Sequence, residues 1–457
     1  MLYRKYFYCN PTFLKLASFF LLKCNALTFK IANMKINLPF TLMFSFSTCL
    51  LSSSCIAQSG SFQKVYGGTG TKQDYTYDMH KTSDGGYVLG GVTENYPAGV
   101  RRSYVVKTDA NGDTLWTSIY GDTCTTGSGK YPPQQYINDL YQTNDGGYIT
   151  AGGMALCGAA TNEGGEITRL DANGNVLWSK TCSTGNEDPY PVIQCSDGNF
   201  IFGGYVTGIG AGLEDGCLTK IDANGDTLWS KTYGGAGNEW FYHILQTPDG
   251  GYLAAGKTDG FGQGVVNSND NIYLVKTDAN GSLQWSKAYG TAGGNQDAFG
   301  HCLQPTTDGG FIVAGAAGSQ VTQSDSGIFL MKIDASGNMK WAKYFSGEFG
   351  HAVKQTSDKG YVIAGTGNYG GSTGDNVVLI KTDSLGILQW SRTFGGNGNE
   401  DGWLLDIAND GGYVTGGWTA SFGNLAEHCY LIKTDTGGNS SLQYQILQLG
   451  DGRRCRM

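Results

Sequence analysis

Between Trp240 and Tyr289 the apolar residues fall in four short runs, each compatible with a strand and none with an amphipathic helix. They read Trp240–Gln246, Gly251–Lys257, Asn271–Thr277 and Leu283–Tyr289. The third holds Ile272, Tyr273, Leu274 and Val275 in succession, the pattern of a strand buried on both faces. The fourth alternates Leu283, Trp285, Lys287 and Tyr289 against Gln284, Ser286 and Ala288, which predicts a half-exposed strand with the first set on one face. Two turn signals divide the runs, Pro248-Asp249-Gly250-Gly251 and Asp278-Ala279-Asn280-Gly281. Asp-Ala-Asn-Gly suits a type I turn whose glycine takes the left-handed position of a bulge, so strands one and two, and three and four, form tight hairpins.

The chain repeats this unit seven times. The first signal recurs at Asp84, Asp145, Asp197, Asp249, Asp308, Asp358 and Asp410, and the second at Asp109, Asp171, Asp222, Asp278, Asp334, Asp383 and Asp435. Six second signals are followed by a tryptophan: Trp116, Trp178, Trp229, Trp285, Trp341 and Trp390. A period of roughly 50 to 60 residues is that of propellers, solenoids and arrays. The variable loops fall between strands two and three and between consecutive units. In an up-and-down meander both classes emerge on one face, leaving a uniform rim opposite a variable one.

The repeats K-T-D-A-N-G-x-x-x-W-S-K-x-Y-G-G and Q-T-x-D-G-G-Y-x-x-A-G resemble the secreted propeller-repeat proteins of Gram-negative bacteria over about residues 62–440. More distantly they resemble quinoprotein-dehydrogenase-like and NHL-like propellers. The resemblance implies an all-β fold, a seven-bladed β-propeller of four-stranded antiparallel blades. The strand before Asp-Gly-Gly-Tyr would be innermost and the tryptophan strand outermost. Such proteins often carry a type IX secretion sorting domain, and Ser440–Met457 does not match one. Phe62-Gln63-Lys64-Val65-Tyr66-Gly67 matches the outer strand Trp285–Gly290, and the seventh unit has a poor fourth strand of its own. The N-terminal strand is therefore expected to complete the last blade and close the ring, with an open arc or a lost eighth blade as the competing readings.

Composition fits this architecture: 72 glycines against 9 prolines supply many tight turns, and 12% aromatic with 15% charged residues supply a core. The 31 basic and 39 acidic residues leave a charge of −8, which argues against nucleic-acid binding. Met34-Lys35, the apolar run Leu38–Leu51 and the small residues up to Ala57 read as a signal peptide over 34–57, cleaved after Ala57. Residues 1–33 read as an upstream extension from a misassigned start, 58–440 as the propeller and 441–457 as an irregular, truncated tail. The mature chain has no expected membrane span and is expected to be a secreted or cell-surface monomer. Cys55 raises lipid modification as an alternative, although Ser52 departs from the usual pattern. Of the cysteines beyond residue 57 none forms C-x-x-C, so a mixture of disulfides and buried thiols is expected.

Candidate chemistry is sparse. Four histidines, His80, His243, His301 and His351, lie on predicted innermost strands at four, six, seven and seven residues before their anchor aspartates. These unequal offsets suggest packing residues and not one metal ring. The Asp-x-Asn-Gly turns lack the distal carboxylate of a calcium loop. Acids just before the innermost strands, Asp74, Asp188, Glu239, Asp297 and Asp401, with Asp139 less regular, are the candidates for a cation such as Ca2+ at the channel mouth, or else cap their own loops. No other cofactor is predicted. The variable rim carries Tyr96, Tyr131, Phe261, Tyr369 and Phe422, whose rings among amides could bind a glycan or a protein. No zinc-protease or phosphate-loop motif occurs. The functional expectation is a noncatalytic binding module, with an extracellular carbohydrate-active hydrolase and a purely structural surface repeat as alternatives.

Overall fold

The computed structural model of the chain describes residues 29–31, 34–36, 60–67, 72–95, 98–121, 134–155, 163–182, 187–260, 270–290, 298–317, 327–368, 374–422, 427–440 and 444–448. The chain divides into two compact units, Met1–Gln58 and Ser59–Met457. In the first, Phe29–Ile31 pairs antiparallel with Met34–Ile36. The predicted signal peptide otherwise lies outside the described residues, as do the cysteines Cys124, Cys157 and Cys455.

The second unit is all-β, a β-propeller in which the repeats form antiparallel four-stranded sheets laid side by side. In the fourth repeat the strands are Glu239–Gln246, Tyr252–Thr258, Asn271–Thr277 and Leu283–Tyr289, hydrogen-bonded in that order. The third, fifth and sixth repeats follow the same order. The first and second share one sheet because Ala98–Thr108 also meets the short strand Gln134–Gln135. In the seventh repeat Glu400–Ile407, Tyr413–Thr419 and His428–Lys433 are followed by Phe62–Gly67, antiparallel to His428–Lys433. Tyr444–Gln448 then runs parallel to Phe62–Gly67. Each innermost strand lies beside the next, and Glu400–Ile407 lies beside Asp74–Lys81.

The repeated residues are accounted for by the turns. Asp249 Oδ1 accepts from Thr247 Oγ1 (2.5 Å) and Gly251 N (3.1 Å), and Oδ2 from Lys276 Nζ (2.8 Å). The long stem of Lys276 is buried while its head reaches this carboxylate. Asp278 Oδ1 accepts from Asn280 N (2.9 Å) and Ser282 N (2.7 Å), and Gly281 takes φ 73°, a left-handed conformation that costs glycine little. The repeats are stapled to one another by recurring contacts. Gln246 Oε1 accepts from Ser196 N of the preceding repeat at 2.8 Å. Trp229 of the third repeat lies under Gly281 of the fourth, so close that a Cβ there would stand 2.8 Å from its ring. Trp116, Trp178, Trp285, Trp341 and Trp390 meet Gly174, Gly225, Gly337, Gly386 and Gly438 in the same way, and Phe62 meets Gly112. Tyr66 Oη donates to Gly112 O (2.7 Å) as Tyr233 Oη does to Gly281 O (2.6 Å).

The strand Asn271–Thr277 is buried throughout, as its apolar run predicts. The outer strand departs from expectation: Leu283 is 55% exposed and does not share a face with Trp285. The register shifts between Lys276 and Thr277, which pair with Trp285 and Leu283 respectively. One extra residue in a strand sends the side chains beyond it to the opposite face. At the variable rim the two loop classes meet, Asn238 Nδ2 donating to Asp259 Oδ2 at 2.8 Å. Cys195, Cys302 and Cys429 are buried thiols, with Cys195 Sγ 3.5 Å from Tyr252 Oη.

Candidate functional site: the channel wall

The innermost strands bound a cavity of about 590 Å³. A local irregularity in these strands shapes it. The pairing with the second strand shifts between Thr76 and Asp78, Pro189 and Val192, Phe241 and His243, Gly300 and Cys302, Gly350 and Ala352, and Gly402 and Leu404. Each bulge re-aims a side chain that a regular strand would pair. Six residues stand at these shifts: Tyr77, Tyr190, Tyr242, His301, His351 and Trp403, each seven residues before its anchor aspartate. Asn138 holds that position in the second repeat.

These side chains touch one another around the wall. Ring centroids are 5.6 Å apart for Tyr190 and Tyr242, 4.9 Å for Tyr242 and His301, and 4.9 Å for His301 and His351. His351 stacks on Trp403 at 4.0 Å, and Trp403 meets Tyr77 edge-on at 6.4 Å. The cavity runs from this aromatic arc to Gln194 and Gln246, at the ends of their strands beside the uniform turns. It therefore occupies the half of the channel nearer the uniform rim.

Most of this wall is uncharged at neutral pH. Burial, with a smaller contribution from His351, holds His301 well below the usual histidine range. Burial lowers His351 to about 3, and burial with the nearby Lys354 lowers His243 to about 4. Neutral imidazoles offer one donor and one acceptor each. Nδ1 of His243 and Nδ1 of His351 are buried and meet no hydrogen-bond partner among the described residues.

One corner differs. Asp78, His80 and Asp139 bring a ligand atom each to within 4.8 Å of one another. His80 Nε2 lies 3.2 Å from Asp78 Oδ2, which also accepts from Leu140 N at 2.8 Å. Asp139 Oδ2 accepts from Val192 N at 2.6 Å. Burial opposes the ionisation of Asp78, but the charge and hydrogen bond of His80 outweigh it and hold this carboxyl below its usual range. Burial opposes the charge on His80 too, and Asp78 overcomes it, raising the imidazole. Asp139 is pushed well above the usual carboxylate range by burial and then by Asp78. The two carboxyls share a hydrogen bond, the arrangement expected where like charges crowd together.

Of the acids expected to hold a cation at the channel mouth or to cap their own loops, Asp139 stands in this corner. Asp74 is buried and accepts from Asn95 Nδ2 at 2.9 Å. Glu239, also buried, accepts from Thr258 Oγ1 (2.7 Å) and Gly235 N (2.8 Å), holding its own loops together. Glu400 does the same with Thr419 Oγ1 and Gly396 N. Asp401 accepts from Thr366 Oγ1 and lies 3.5 Å from His351 Nε2. Asp188 lies on the strand Glu187–Gln194, its side chain undescribed, and Asp297 lies outside the described residues. Of the rim aromatics, Phe422 is partly buried against Tyr430, with centroids 5.5 Å apart. Tyr96, Tyr131, Phe261 and Tyr369 lie outside the described residues.

The four histidines whose unequal offsets suggest packing, His80, His243, His301 and His351, all line the cavity. The signal that finds the arc is the position seven residues before each anchor, read across all residue types.

No family model and no curated protein matches the chain. Solved structures similar to it include a protein of unknown function from Bacteroides caccae, 12% identical, covering 64% of this chain and 90% of that one with a TM-score of 0.38. A protein of unknown function from Dyadobacter fermentans is 13% identical, with 72% and 96% covered and a TM-score of 0.40. The Dos1 propeller is 10% identical, with 84% and 99% covered and a TM-score of 0.44.

Proposed function

We propose that residues 58–440 form an exported, seven-bladed ring closed by the N-terminal strand, acting as a noncatalytic module that binds a glycan in the channel. The aromatic arc of Tyr190, Tyr242, His301, His351 and Trp403 carries this reading. A sugar ring needs a flat apolar face to stack on and neutral groups that donate and accept hydrogen bonds, and the wall supplies both. The volume of about 590 Å³ suits a saccharide of a few units. A hydrolase is the weaker reading. The carboxyls that converge, Asp78 and Asp139, share a hydrogen bond, closer than the ~5–5.5 Å separation that a retaining glycosidase uses.

The test is a screen of the purified mature chain against polysaccharides and oligosaccharides, followed by calorimetry on the hits. Binding without release of reducing sugar is expected. Trp403→Ala and Tyr242→Ala should each weaken it by about tenfold, equivalent to ~1.4 kcal/mol. Binding that both substitutions leave unchanged would remove the channel from consideration, and sugar release would favour the hydrolase.

A further inference from the structure

We propose that Asp78, His80 and Asp139 form a zinc site on the channel wall. Two carboxylates and one imidazole are an oxygen and nitrogen donor set that Zn2+ accepts, with a fourth position open to the cavity. Donors ~2.0–2.1 Å from a tetrahedral ion stand roughly 3.3 Å apart. The 3.2 Å between His80 Nε2 and Asp78 Oδ2 has that spacing, and the three ligand atoms already lie within 4.8 Å of one another. The carboxylates are also oriented from behind, by Leu140 N on Asp78 and by Val192 N on Asp139. Such outer partners aim a ligand without using up both lone pairs of its oxygen.

The alternative role for these acids is mechanical, since each of the two backbone N–H groups belongs to the next repeat. The repeat itself argues against that as their purpose. At the matching position the later repeats carry Pro191, His243, Cys302, Ala352 and Leu404, most of which cannot accept such a bond. Neighbouring repeats therefore dock without a carboxylate there. Two acids at this position in consecutive repeats, facing one histidine, are a departure from the repeat and not part of it.

The mature chain, dialysed against EDTA and then against buffer, is titrated with ZnCl2 by calorimetry and in competition with a chromophoric chelator. One equivalent of Zn2+ should bind and raise the melting temperature, while Mg2+ at the same concentration does not. Asp139→Asn keeps an oxygen for Val192 N and should melt like the parent without zinc, yet bind Zn2+ at least tenfold more weakly. His80→Gln should do the same. No zinc uptake by the parent, or unchanged affinity in both variants, overturns the site. Neither result bears on glycan binding, which the calorimetry on saccharides reads separately.

Discussion

Removal of the N-terminal strand tests the ring. Phe62 and Tyr66 are 5% and 0% exposed, and both bury themselves against the first repeat and the seventh. Truncating a buried aromatic costs ~3–5 kcal/mol, so losing both costs about 6–10 kcal/mol before the backbone ladder with Cys429–Lys433 is counted. Native stability is ~5–15 kcal/mol, so a chain lacking residues 58–68 should melt at least about 10 °C lower or fail to fold. A finer comparison uses the repeat as its own control. Tyr66→Phe and Tyr233→Phe each remove one buried hydroxyl from an equivalent carbonyl, Gly112 O and Gly281 O. Each should cost ~0.5–1.5 kcal/mol in chemical denaturation, and the two costs should agree. If the deleted chain melts with the parent, or Tyr66→Phe is silent while Tyr233→Phe is not, the N-terminal strand does not close the ring.

Two further expectations follow from the turns. Gly281→Ala and Gly250→Ala share a backbone cost of ~1–2 kcal/mol, since φ is 73° and 82°, but only the first places a methyl 2.8 Å from the Trp229 ring. Gly281→Ala should therefore have the lower urea midpoint, and equal midpoints would show that the tryptophan is not seated there. Lys276, ahead of Thr247, holds Asp249 at about 2, and Thr306, ahead of Lys332, does the same for Asp308. An unfolded aspartate titrates near ~3.9, so these carboxylates add stability above that pH and lose it as pH falls towards about 2. The gain per pair is small because each aspartate is more than half exposed. Urea midpoints should drop between pH 5 and pH 2.5, and less in Lys276→Met; an identical drop in the variant would dismiss the pair as the cause.

The all-β fold and its strands were legible because the repeat averages out the noise of any one copy. Asn271–Thr277 and Leu283–Tyr289 have the bounds their patterns predict. The roles of Asp249 and Asp278 were legible for the same reason, as turn chemistry is local and its ligands lie within a few residues. Leu283 shows where the pattern fails. Its neighbours suggest a shared face with Trp285, but alternation holds only while the register holds, and the bulge opposite Lys276 and Thr277 interrupts it.

The channel wall was illegible for a related reason. Glu239 and Asp401 are one position apart relative to their anchors in the fourth and seventh repeats, and both end up bonded to neighbouring threonines, Thr258 and Thr366. Their proximity to the innermost strand says nothing of which way they face. A bulge decides that, and bulges leave no mark in the sequence of a single copy. Tyr242, His301, His351 and Trp403 differ in chemistry, so a search for histidine meets only His301 and His351 at this position and finds no ring. Aligned on the anchor aspartate, the same position is aromatic or imidazole in six of the seven repeats and asparagine in the other. A position that keeps its ring while changing its polarity is under a demand from the channel and not from the blade. Turn residues answer the blade, which is why Asp249 and Lys276 recur almost unchanged while the wall varies around a constant shape.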